Sequence, residues 1–381
     1  MKILYLIKSF AMKAGVERVI SDKVNWLADH GYEIMLVTYE QGQHSYAYQL
    51  HPSIKHEDIG ARFFELHKFG LLKRFLYFIK YRIYFKRQFK TIINDFCPDV
   101  VVTTTYQLKI LDIILSICSN SINIIESHIA CYKAQKSSEL HGFWLRPFAK
   151  MYDAFFLGKI IKFDILVVLT QGDSMDWKKY NRNIRVIPNP VTLFPDSIEE
   201  HEERCRMISV GRLHEQKGFD LLIHAFSEIS DFCPKWHLDI YGEGDDEKYL
   251  RSLISKYGLN KRISIIQPIP NIYEEYMRSD FYVLSSRYEG FPLVLNEAMS
   301  CGIPCIAFRC KYGPEDAIID KVNGVLVENG NVSALAEGML WMIQHPQERQ
   351  RMGKAAREAA GKYKKDEIMK KWQLLFNTLC Q

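Results

Sequence analysis

The sequence lacks paired cysteines and long hydrophobic runs. Its nine cysteines are scattered over 381 residues with no Cys-x-x-Cys spacing, and no histidine lies near the closest grouping, Cys301, Cys305 and Cys310. This excludes the common zinc-site patterns and favours reduced, mostly buried thiols. No apolar stretch reaches the roughly 20 residues of a membrane-spanning helix.

Signals for export and for a divalent metal are also missing. Only five residues separate Lys2 from Lys8, a run that is too short for a signal peptide and typical of a first strand. We therefore expect a cytoplasmic protein. No Asp-x-Asp follows a predicted strand, so the sequence indicates no metal ion held between phosphates, and we expect no cofactor.

Acidic residues are absent from one segment. The net charge of +5 does not by itself indicate nucleic acid, but residues 66–94 contain eight Lys or Arg and no Asp or Glu. A helix over 72–87 would carry an apolar stripe formed by Leu72, Leu76, Ile79 and Ile83. Cations would flank this stripe, namely Lys73, Lys80, Arg82, Lys86 and Arg87. The opposite face would be aromatic, with Tyr77, Phe78, Tyr81, Tyr84 and Phe85. Such a helix would bury one face and lay the other on an anionic membrane, which its cations contact. The alternative is a core helix with solvated lysines. No nucleic-acid partner is expected, because the aromatics are not spaced along exposed strands or loops.

Short, continuous apolar runs alternate with helical patterns along the chain. The runs are Ile3–Ile7, Glu33–Thr38, Val100–Thr104, Ile122–Ser127, Ile165–Leu169, Ile184–Ile187, Met207–Val210, His237–Tyr241, Ile263–Gln267, Phe281–Ser285, Pro304–Phe308 and Gly324–Val327. Continuous runs that are each followed by a helical pattern predict parallel sheets covered by helices on both faces. The fold class is therefore α/β.

The chain is expected to form two domains, because its length exceeds one ordinary core. A break lies near Asn189, Pro190 and Val191, and the polar segment 196–203 is typical of a linker. We predict a Rossmann-like domain over 1–190 and a second over 191–364, with a C-terminal helix over 365–381 that packs back on the first. Two doubly wound domains in succession place a ligand at their strand ends, in the cleft between them.

The strongest chemical signal is a pair of glutamates, Glu289 and Glu297, at a strand–helix junction. Glu289 lies in the loop before Gly290, and Leu293 and Val294 begin the helix that follows. Unpaired N–H groups at the start of that helix favour a phosphate, and Glu297 is placed to accept hydrogen bonds from vicinal hydroxyls. Spacing alone leaves open a capping glutamate followed by a solvated one.

Two further glycine-containing loops follow predicted strands. Gly211 precedes Arg212 and Lys217, a rigid fork of donors and a mobile point charge that suit a diphosphate, although two solvated cations would give the same pattern. Gly242 begins a loop suited to a nucleoside lying close to the backbone. It is not a dinucleotide fingerprint, because Glu247 stands where a third glycine is needed.

Together these loops resemble the retaining, nucleotide-sugar-dependent glycosyltransferases of the GT-B fold, family 4, and bacterial surface-polysaccharide glycosyltransferases in particular. The resemblance covers the whole chain and is tightest over 210–314. It implies that the domain over 1–190 binds the acceptor and that the domain over 191–364 binds the nucleotide sugar. In the second domain Arg212 and Lys217 would bind the diphosphate. Glu297 would bind the ribose hydroxyls, and Glu289 would contact the transferred sugar. The backbone lining the donor would be that of Gly211, Gly242, Gly290, Phe291, Pro292, Leu293 and Val294.

In the N-terminal half the same resemblance points to two residues. The family's glycine pair after the first strand corresponds to Ala14 and Gly15, so Gly15 alone would provide the close backbone approach to the donor. The family's Glu-His pair at a strand end corresponds to Glu126 and His128, which makes His128 the candidate catalytic residue of this half. A lone histidine at a strand end is otherwise a common structural residue.

The expected reaction moves a hexose or N-acetylhexosamine from a nucleotide diphosphate sugar, with UDP as the nucleotide, to a glycan acceptor linked to polyprenyl diphosphate. It would take place at the inner face of the cytoplasmic membrane. Arg212, Lys217 and a helix N-terminus would stabilise the negative charge of the leaving diphosphate without a metal ion. The resemblance implies retention of anomeric configuration by front-face attack.

Other functions stay open at this point. A soluble acceptor competes with the lipid-linked one. A two-lobed sugar-binding protein without transferase activity would share the architecture, but would need an export signal and would have no use for paired phosphate cations. A dinucleotide enzyme such as a nucleotide-sugar epimerase would require a complete glycine fingerprint after the first strand, and residues 8–15 do not contain one.

Overall fold

The computed structural model describes residues 1–12, 15–107, 109–135, 146–198 and 204–379. Ala14 of the predicted glycine pair, 199–203 of the predicted linker and the last two residues of the predicted C-terminal helix lie outside these ranges. The chain divides into two compact units. Unit 1 comprises 1–187 together with 371–381, and unit 2 comprises 188–370.

Unit 1 is built on a parallel sheet. In its described part, seven strands lie in the order β3-β2-β1-β4-β5-β6-β7. The strands are β1 Lys2–Ile7, β2 Glu33–Thr38, β3 Lys55–Asp58, β4 Val100–Thr104, β5 Ile122–Glu126, β6 Ile165–Val168 and β7 Ile184–Val186. The helices are α1 Gly15–Asp29, α2 Leu71–Phe96, α3 Leu111–Ile117, α4 Cys131–Ala134, α5 Arg146–Leu157 and α6 Gln171–Trp177. The central strands are buried along almost their whole length, as expected of a sheet covered on both faces.

Unit 2 repeats this arrangement. Its described strands lie in the order β10-β9-β8-β11-β12-β13, and every pair is parallel. The strands are β8 Arg206–Val210, β9 His237–Tyr241, β10 Ile263–Ile266, β11 Phe281–Leu284, β12 Cys305–Phe308 and β13 Gly324–Val327. The helices are α7 Phe219–Ile229, α8 Glu247–Lys256, α9 Ile272–Met277, α10 Leu293–Ser300, α11 Pro314–Ala317, α12 Val332–Gln344, α13 Pro346–Ala360 and α14 Lys365–Leu379.

The strand order reverses once in each unit, between β1 and β4 and between β8 and β11. Ligands of doubly wound sheets bind at the carboxyl ends of the strands beside such a reversal. The predicted α/β fold with two Rossmann-like domains is therefore confirmed. Each predicted run coincides with a strand, while β3 was not predicted, because its residues are charged, exposed and at the sheet edge.

The last residues of α14 belong to unit 1. Trp372 lies over the ammonium group of Lys23 on α1, 3.9 Å from the ring centroid. The ring of Phe376 lies 6.0 Å from that of Tyr32. Both side chains are buried, so the end of the chain is packed into the core of the first unit.

Candidate functional site

The three glycine-containing loops of unit 2 follow neighbouring strands and pack against one another. A Cβ on Gly242, after β9, would lie 1.9 Å from the carbonyl oxygen of Gly211, after β8. Gly218 has φ +62°, and its Cβ would lie 2.1 Å from the carbonyl oxygen of Ser285, after β11. Only glycine permits backbones to approach so closely. The structure thus joins motifs that are far apart in sequence.

Hydrogen bonds tie the first loop to the third. The Arg287 amide donates to the Gln216 carbonyl at 2.8 Å, and the Ser285 hydroxyl donates to the Lys217 carbonyl at 2.9 Å. The Arg287 guanidinium also forms a bidentate ion pair with Asp220, at 2.8 and 2.6 Å. Burial alone would raise the pKa of Asp220, but Arg287 holds it below its ordinary value. These contacts make the loops a preorganised unit.

Lys217 and Glu289 form the charged centre of these loops. The Lys217 ammonium donates to Glu289 Oε1 at 2.7 Å, and the Ser286 hydroxyl donates to the same oxygen at 2.6 Å. Glu289 is 5% exposed. The stem of Lys217 crosses Gly211, whose Cβ would lie 3.2 Å from it, so that glycine makes room for the lysine. A carboxylate and an ammonium are therefore brought together from separate loops.

Arg212 is exposed, on the same loop as Lys217. Over the described ranges it forms no ion pair, and its guanidinium donors therefore have no carboxylate to displace before they bind an anion. The predicted pair of cations is thus arranged asymmetrically, with Lys217 held by a carboxylate and Arg212 exposed. An anion with two phosphate groups suits such a pair.

Helix α10 begins at Leu293, where the sequence predicts it. Leu293 and Val294 form its first turn and are half-buried. Glu297 lies one turn further and accepts a hydrogen bond from the Thr192 hydroxyl at 2.8 Å. Burial, and next the charge of Glu297, raise the pKa of Tyr273 well above its ordinary value. Glu297 is therefore in a different environment from Glu289.

Contacts with Gly313 and Tyr363 support the loop that precedes α10. Pro292 packs against Gly313, whose Cβ would lie 2.4 Å from Pro292 Cδ and 3.6 Å from the Gly290 carbonyl oxygen. The ring of Phe291 meets that of Tyr363 edge-on, with centroids 5.5 Å apart. The segment 290–294 therefore presents backbone at the opening of a helix, which is the arrangement that binds phosphate groups.

In unit 1, Gly15 is the first residue of α1 and is exposed. His128 lies two residues beyond β5, and its Nε2 is 3.1 Å from Glu126 Oε2. Because a carboxylate accepts, Nε2 carries a proton. The His128 side chain is 2% exposed, and its Nδ1 is buried without a hydrogen-bond partner in the described part of the chain.

A buried lysine completes this cluster. Lys23 on α1 contacts both carboxylate oxygens of Glu126, at 2.6 and 2.7 Å, and both side chains are almost fully buried. Burial alone would raise the pKa of Glu126, but Lys23 and His128 bring it below its ordinary value. Lys23 was not predicted from the sequence. Its signal is a cation within the apolar stripe of α1, three residues after Ile20 and four before Leu27.

Helix α2 has two apolar faces. Phe85 and Phe89 are fully buried, whereas Leu72 is 76% exposed and Leu76 57% exposed. We call Leu72, Leu76, Ile79 and Ile83 the outer face of α2, since all four are exposed. The aromatic face is the one that is buried: Tyr77, Phe78 and Tyr81 pack on the unit 1 core. Tyr84 is 44% exposed.

The cations of α2 are not equivalent. Lys73, Lys80, Lys86 and Arg87 are exposed. Arg82 instead bonds the carboxylate of Asp112 and the Lys109 carbonyl, and its side chain is 23% exposed. Arg82 therefore ties α2 to α3. Four of the five predicted membrane contacts are left at the surface.

The described ranges contain neither a candidate metal-binding cluster nor a helix that could span a membrane. No group of three His, Cys, Asp or Glu side chains there is placed to hold a metal ion. The eight described cysteines are free thiols. None of the described helices combines the length and apolar character needed to span a membrane.

Residues 192–359 match the model of a family described as glycosyl transferases group 1. A glycosyltransferase of amylovoran biosynthesis from Erwinia amylovora is 27% identical over 391 residues, which cover 99% of both chains. An uncharacterized glycosyltransferase from Haemophilus influenzae is 31% identical over 212 residues. That alignment spans 55% of this chain and 60% of the relative.

Solved structures share the two-domain fold. Sucrose-phosphate synthase from Thermosynechococcus elongatus superposes with a TM-score of 0.77 at 18% identity, covering 99% of this chain and 98% of that one. Staphylococcus aureus TarM, crystallised with fondaparinux, alpha-GlcNAc-glycerol and UDP, has a TM-score of 0.76 at 16% identity and covers 99% of both chains. At these identities the likeness establishes the fold, which is the GT-B fold expected from the sequence.

Proposed function

We propose that this protein is a glycosyltransferase of the GT-B fold that moves a hexose or N-acetylhexosamine from a UDP-sugar to a glycan acceptor in bacterial surface-polysaccharide synthesis. The match to glycosyl transferases group 1 over 192–359 supports the reaction class. The relative in amylovoran biosynthesis, aligned over nearly its full length, supports the biological setting. The UDP in the TarM crystal supports the nucleotide.

The observation that carries this proposal is the contact between Lys217 and Glu289 within three interlocked loops. In the proposed complex the diphosphate binds Arg212, Lys217 and the opening turn of α10. The ribose hydroxyls bind Glu297, and the sugar lies against Glu289 and the backbone of 290–294. Every one of these groups belongs to unit 2.

We propose a second role for Glu289, supported by its contact with Lys217. A lysine ammonium has three donors, so Lys217 is able to hold Glu289 and a phosphate oxygen together. Glu289 then aims Lys217 as well as contacting the sugar. Negative charge that develops on the departing diphosphate meets preorganised donors, which lowers the barrier to its departure. We propose that no metal takes part.

Retention of anomeric configuration is the proposed stereochemistry. In front-face attack the acceptor hydroxyl approaches on the side from which the diphosphate leaves, and the departing phosphate takes the acceptor proton. A covalent route would need a carboxylate nucleophile. In the free protein the carboxylate of Glu289 is already held by Lys217 and Ser286, which favours the front-face route.

The proposed acceptor is a glycan linked to polyprenyl diphosphate, and the proposed location is the inner face of the cytoplasmic membrane. Support comes from the exposed outer face of α2 and its four exposed cations. An exposed apolar stripe between cations is the arrangement by which a helix lies on an anionic bilayer.

A screen of nucleotide sugars tests the donor and the reaction class. UDP at about one hundred times its Kd would raise Tm by roughly 5–10 °C, and one UDP-sugar would be hydrolysed slowly without acceptor. The Lys217→Ala variant should lose both effects. A sugar-binding protein without transferase activity would be stabilised by free sugar, would hydrolyse no nucleotide sugar and would contradict the proposal.

A further inference from the structure

The first residues of unit 2 pack against α10, the helix that carries Glu297. The Thr192 hydroxyl donates to Glu297 Oε1 at 2.8 Å, across 105 positions of the sequence. One turn further along α10, the Ser300 hydroxyl donates to the Leu193 carbonyl at 3.2 Å. Residues three apart lie on one face of a helix, so segment 191–193 is attached to the face of α10 that carries Glu297.

Backbone hydrogen bonds hold this segment on both sides of Thr192. The Val191 amide donates to the Tyr363 carbonyl at 2.9 Å. The Leu193 amide donates to the hydroxyl oxygen of Tyr273 at 2.8 Å, and Tyr273 is a buried residue of α9. Thr192 is therefore fixed against α10 by its neighbours as well as by its own side chain.

Glu297, Thr192 and Tyr273 interact as one group. Burial, and next the charge of Glu297, raise the pKa of Tyr273 well above its ordinary value, whereas the Leu193 amide and the Thr192 hydroxyl lower it. Tyr273 is therefore a neutral phenol beside the carboxylate. A threonine hydroxyl has a single proton to donate, and that of Thr192 is directed at Glu297.

The bond from Thr192 is compatible with a ligand on the same carboxylate. A carboxylate has roughly four lone-pair sites on its two oxygens, so Glu297 is able to accept from Thr192 and from two ribose hydroxyls together. Hydrogen bonds weaken steeply when they bend. A pair of bonds from vicinal hydroxyls therefore needs a carboxylate that is held in one orientation, and Thr192 supplies this restraint.

We infer that Thr192 is a positioning residue for the nucleotide, which orients the Glu297 carboxylate so that it accepts from both ribose hydroxyls. Tyr273 supports this role by holding the Leu193 amide. The inference rests on the proposed function, which it deepens by naming what sets the preference for a ribonucleotide over one that lacks the 2′ and 3′ hydroxyls. Thr192 acts through Glu297 and is not itself a catalytic residue.

Calorimetry on the full chain tests this by comparing UDP with its 2′,3′-dideoxy analogue. The wild type should bind UDP about tenfold or more tightly than the analogue, because the analogue cannot donate to Glu297. The Thr192→Val variant keeps the shape of the side chain and removes the hydroxyl. It should bind UDP about fivefold or more weakly than the wild type and the analogue equally well. The matched control, Thr192→Ser, keeps the hydroxyl and should retain the wild-type preference.

A purely structural role for Thr192 predicts a different result. Equal weakening of UDP and the analogue by Thr192→Val, or an unchanged preference for UDP, overturns the inference while the binding of UDP stands. Equal binding of both nucleotides by the wild type contradicts the ribose contact of Glu297 and overturns the inference as well. Failure of UDP to bind the wild type contradicts the proposed function itself.

Initial-rate kinetics and a second variant make the test independent of one substitution. Thr192→Val should raise KM for the UDP-sugar and leave kcat nearly unchanged, the pattern of a contact made equally in the ground state and the transition state. Tyr273→Phe removes the acceptor of the Leu193 amide and keeps the ring. A reduced preference for UDP in Tyr273→Phe supports the inference even if Thr192→Val does not fold, and a wild-type preference in Tyr273→Phe overturns the supporting role of Tyr273.

Discussion

Glu289 and Glu297 share one sequence motif but have different surroundings. Glu289 contacts Lys217 and Ser286 within the loops, whereas Glu297 is fixed on α10 against Thr192. In the proposed complex Glu289 contacts the sugar, whose bonding changes during the reaction. A carboxylate locked on a helix suits the ribose, which does not change during the reaction. The two glutamates should therefore differ in their effect on binding and on turnover.

The variant Glu297→Gln should weaken the binding of both UDP and UDP-sugar by roughly 1–3 kcal/mol, the value of a charged hydrogen bond. In the variant Glu289→Gln the amide oxygen can still accept the hydrogen bond from Lys217. UDP affinity should therefore stay nearly unchanged while kcat falls, the pattern of an interaction made mainly in the transition state. Calorimetry with UDP beside initial-rate kinetics separates them. The division is wrong if Glu289→Gln loses UDP as severely as Glu297→Gln.

The second residue-scale prediction concerns the buried pair of Lys23 and Glu126. Replacing Glu126 by Gln leaves the Lys23 charge buried without a counter-charge, which should cost about 3–5 kcal/mol in the free energy of unfolding. Urea denaturation at pH 7 measures this. The double variant Lys23→Met with Glu126→Gln is the control and should recover most of the loss, because no lone charge is left.

The same pair predicts a pH dependence. The folded-state pKa of Glu126 lies below its ordinary value, so its contribution is present above the ordinary glutamate pKa and is lost as pH falls through the lowered one. The stability difference between wild type and Glu126→Gln should therefore shrink on acidification. A difference that stays constant down to pH 3 would contradict this assignment.

At the scale of elements, α2 combines two roles. Its second half is a core helix, with Phe85 and Phe89 fully buried, and its first half exposes Leu72 and Leu76. The sequence left open whether this segment was a core helix or a membrane-facing one. The structure shows an apolar face on each side, with Arg82 bound to Asp112 rather than to solvent.

Reversing the charge of Lys73, Lys80 and Arg87 to Glu should abolish binding to vesicles containing anionic lipid, because surface cations supply most of the attraction to headgroups. Sedimentation with vesicles measures it. The matched control reverses Lys162, Lys178 and Arg182, three exposed cations of unit 1 outside α2. Donor hydrolysis should be unchanged in both. Equal vesicle binding by the two variants would contradict membrane binding through α2 and would leave this helix with a structural role.

At the scale of the whole molecule, the two units are built alike but carry different chemistry. Each has its own buried core and a single reversal of strand order. Beside its reversal, unit 2 carries the interlocked glycine loops with Lys217 and Glu289. Unit 1 carries a cavity that is lined by Lys8, Arg74, Tyr106 and other residues. The two sheets thus reverse their strand order at equivalent positions, where doubly wound sheets bind ligands.

Metal independence is the prediction at this scale. Transfer should continue at its full rate with excess chelator, because Arg212, Lys217 and the start of α10 take the charge of the leaving group. Initial rates with and without chelator measure this. Complete loss of activity with chelator that is restored by magnesium or manganese would contradict metal independence. The Arg212→Gln variant is the control for the role of the cations, and it should be slow both with and without chelator.

The sequence by itself determined the α/β class, the strands of both sheets except the exposed β3, and the loops of unit 2 that carry Glu289, Lys217 and Gly242. Continuous apolar runs indicate strands that are buried on both faces of a sheet, and glycines at strand ends indicate close packing of the backbone. These are local properties, which a one-dimensional pattern contains. The start of α10 at Leu293 was predicted for the same reason.

Only the tertiary structure decided which distant residues meet. The contacts of Lys23 with Glu126, of Lys217 with Glu289 and of Arg82 with Asp112 join residues that are 103, 72 and 30 positions apart. A cavity of unit 1 draws on four separate segments, which include Lys8, Glu40, Phe64 and Tyr106, and on Arg74 in the first turn of α2. Such contacts depend on strand order and on which face a helix presents, because side chains are brought together across the sheet only after the strands have paired.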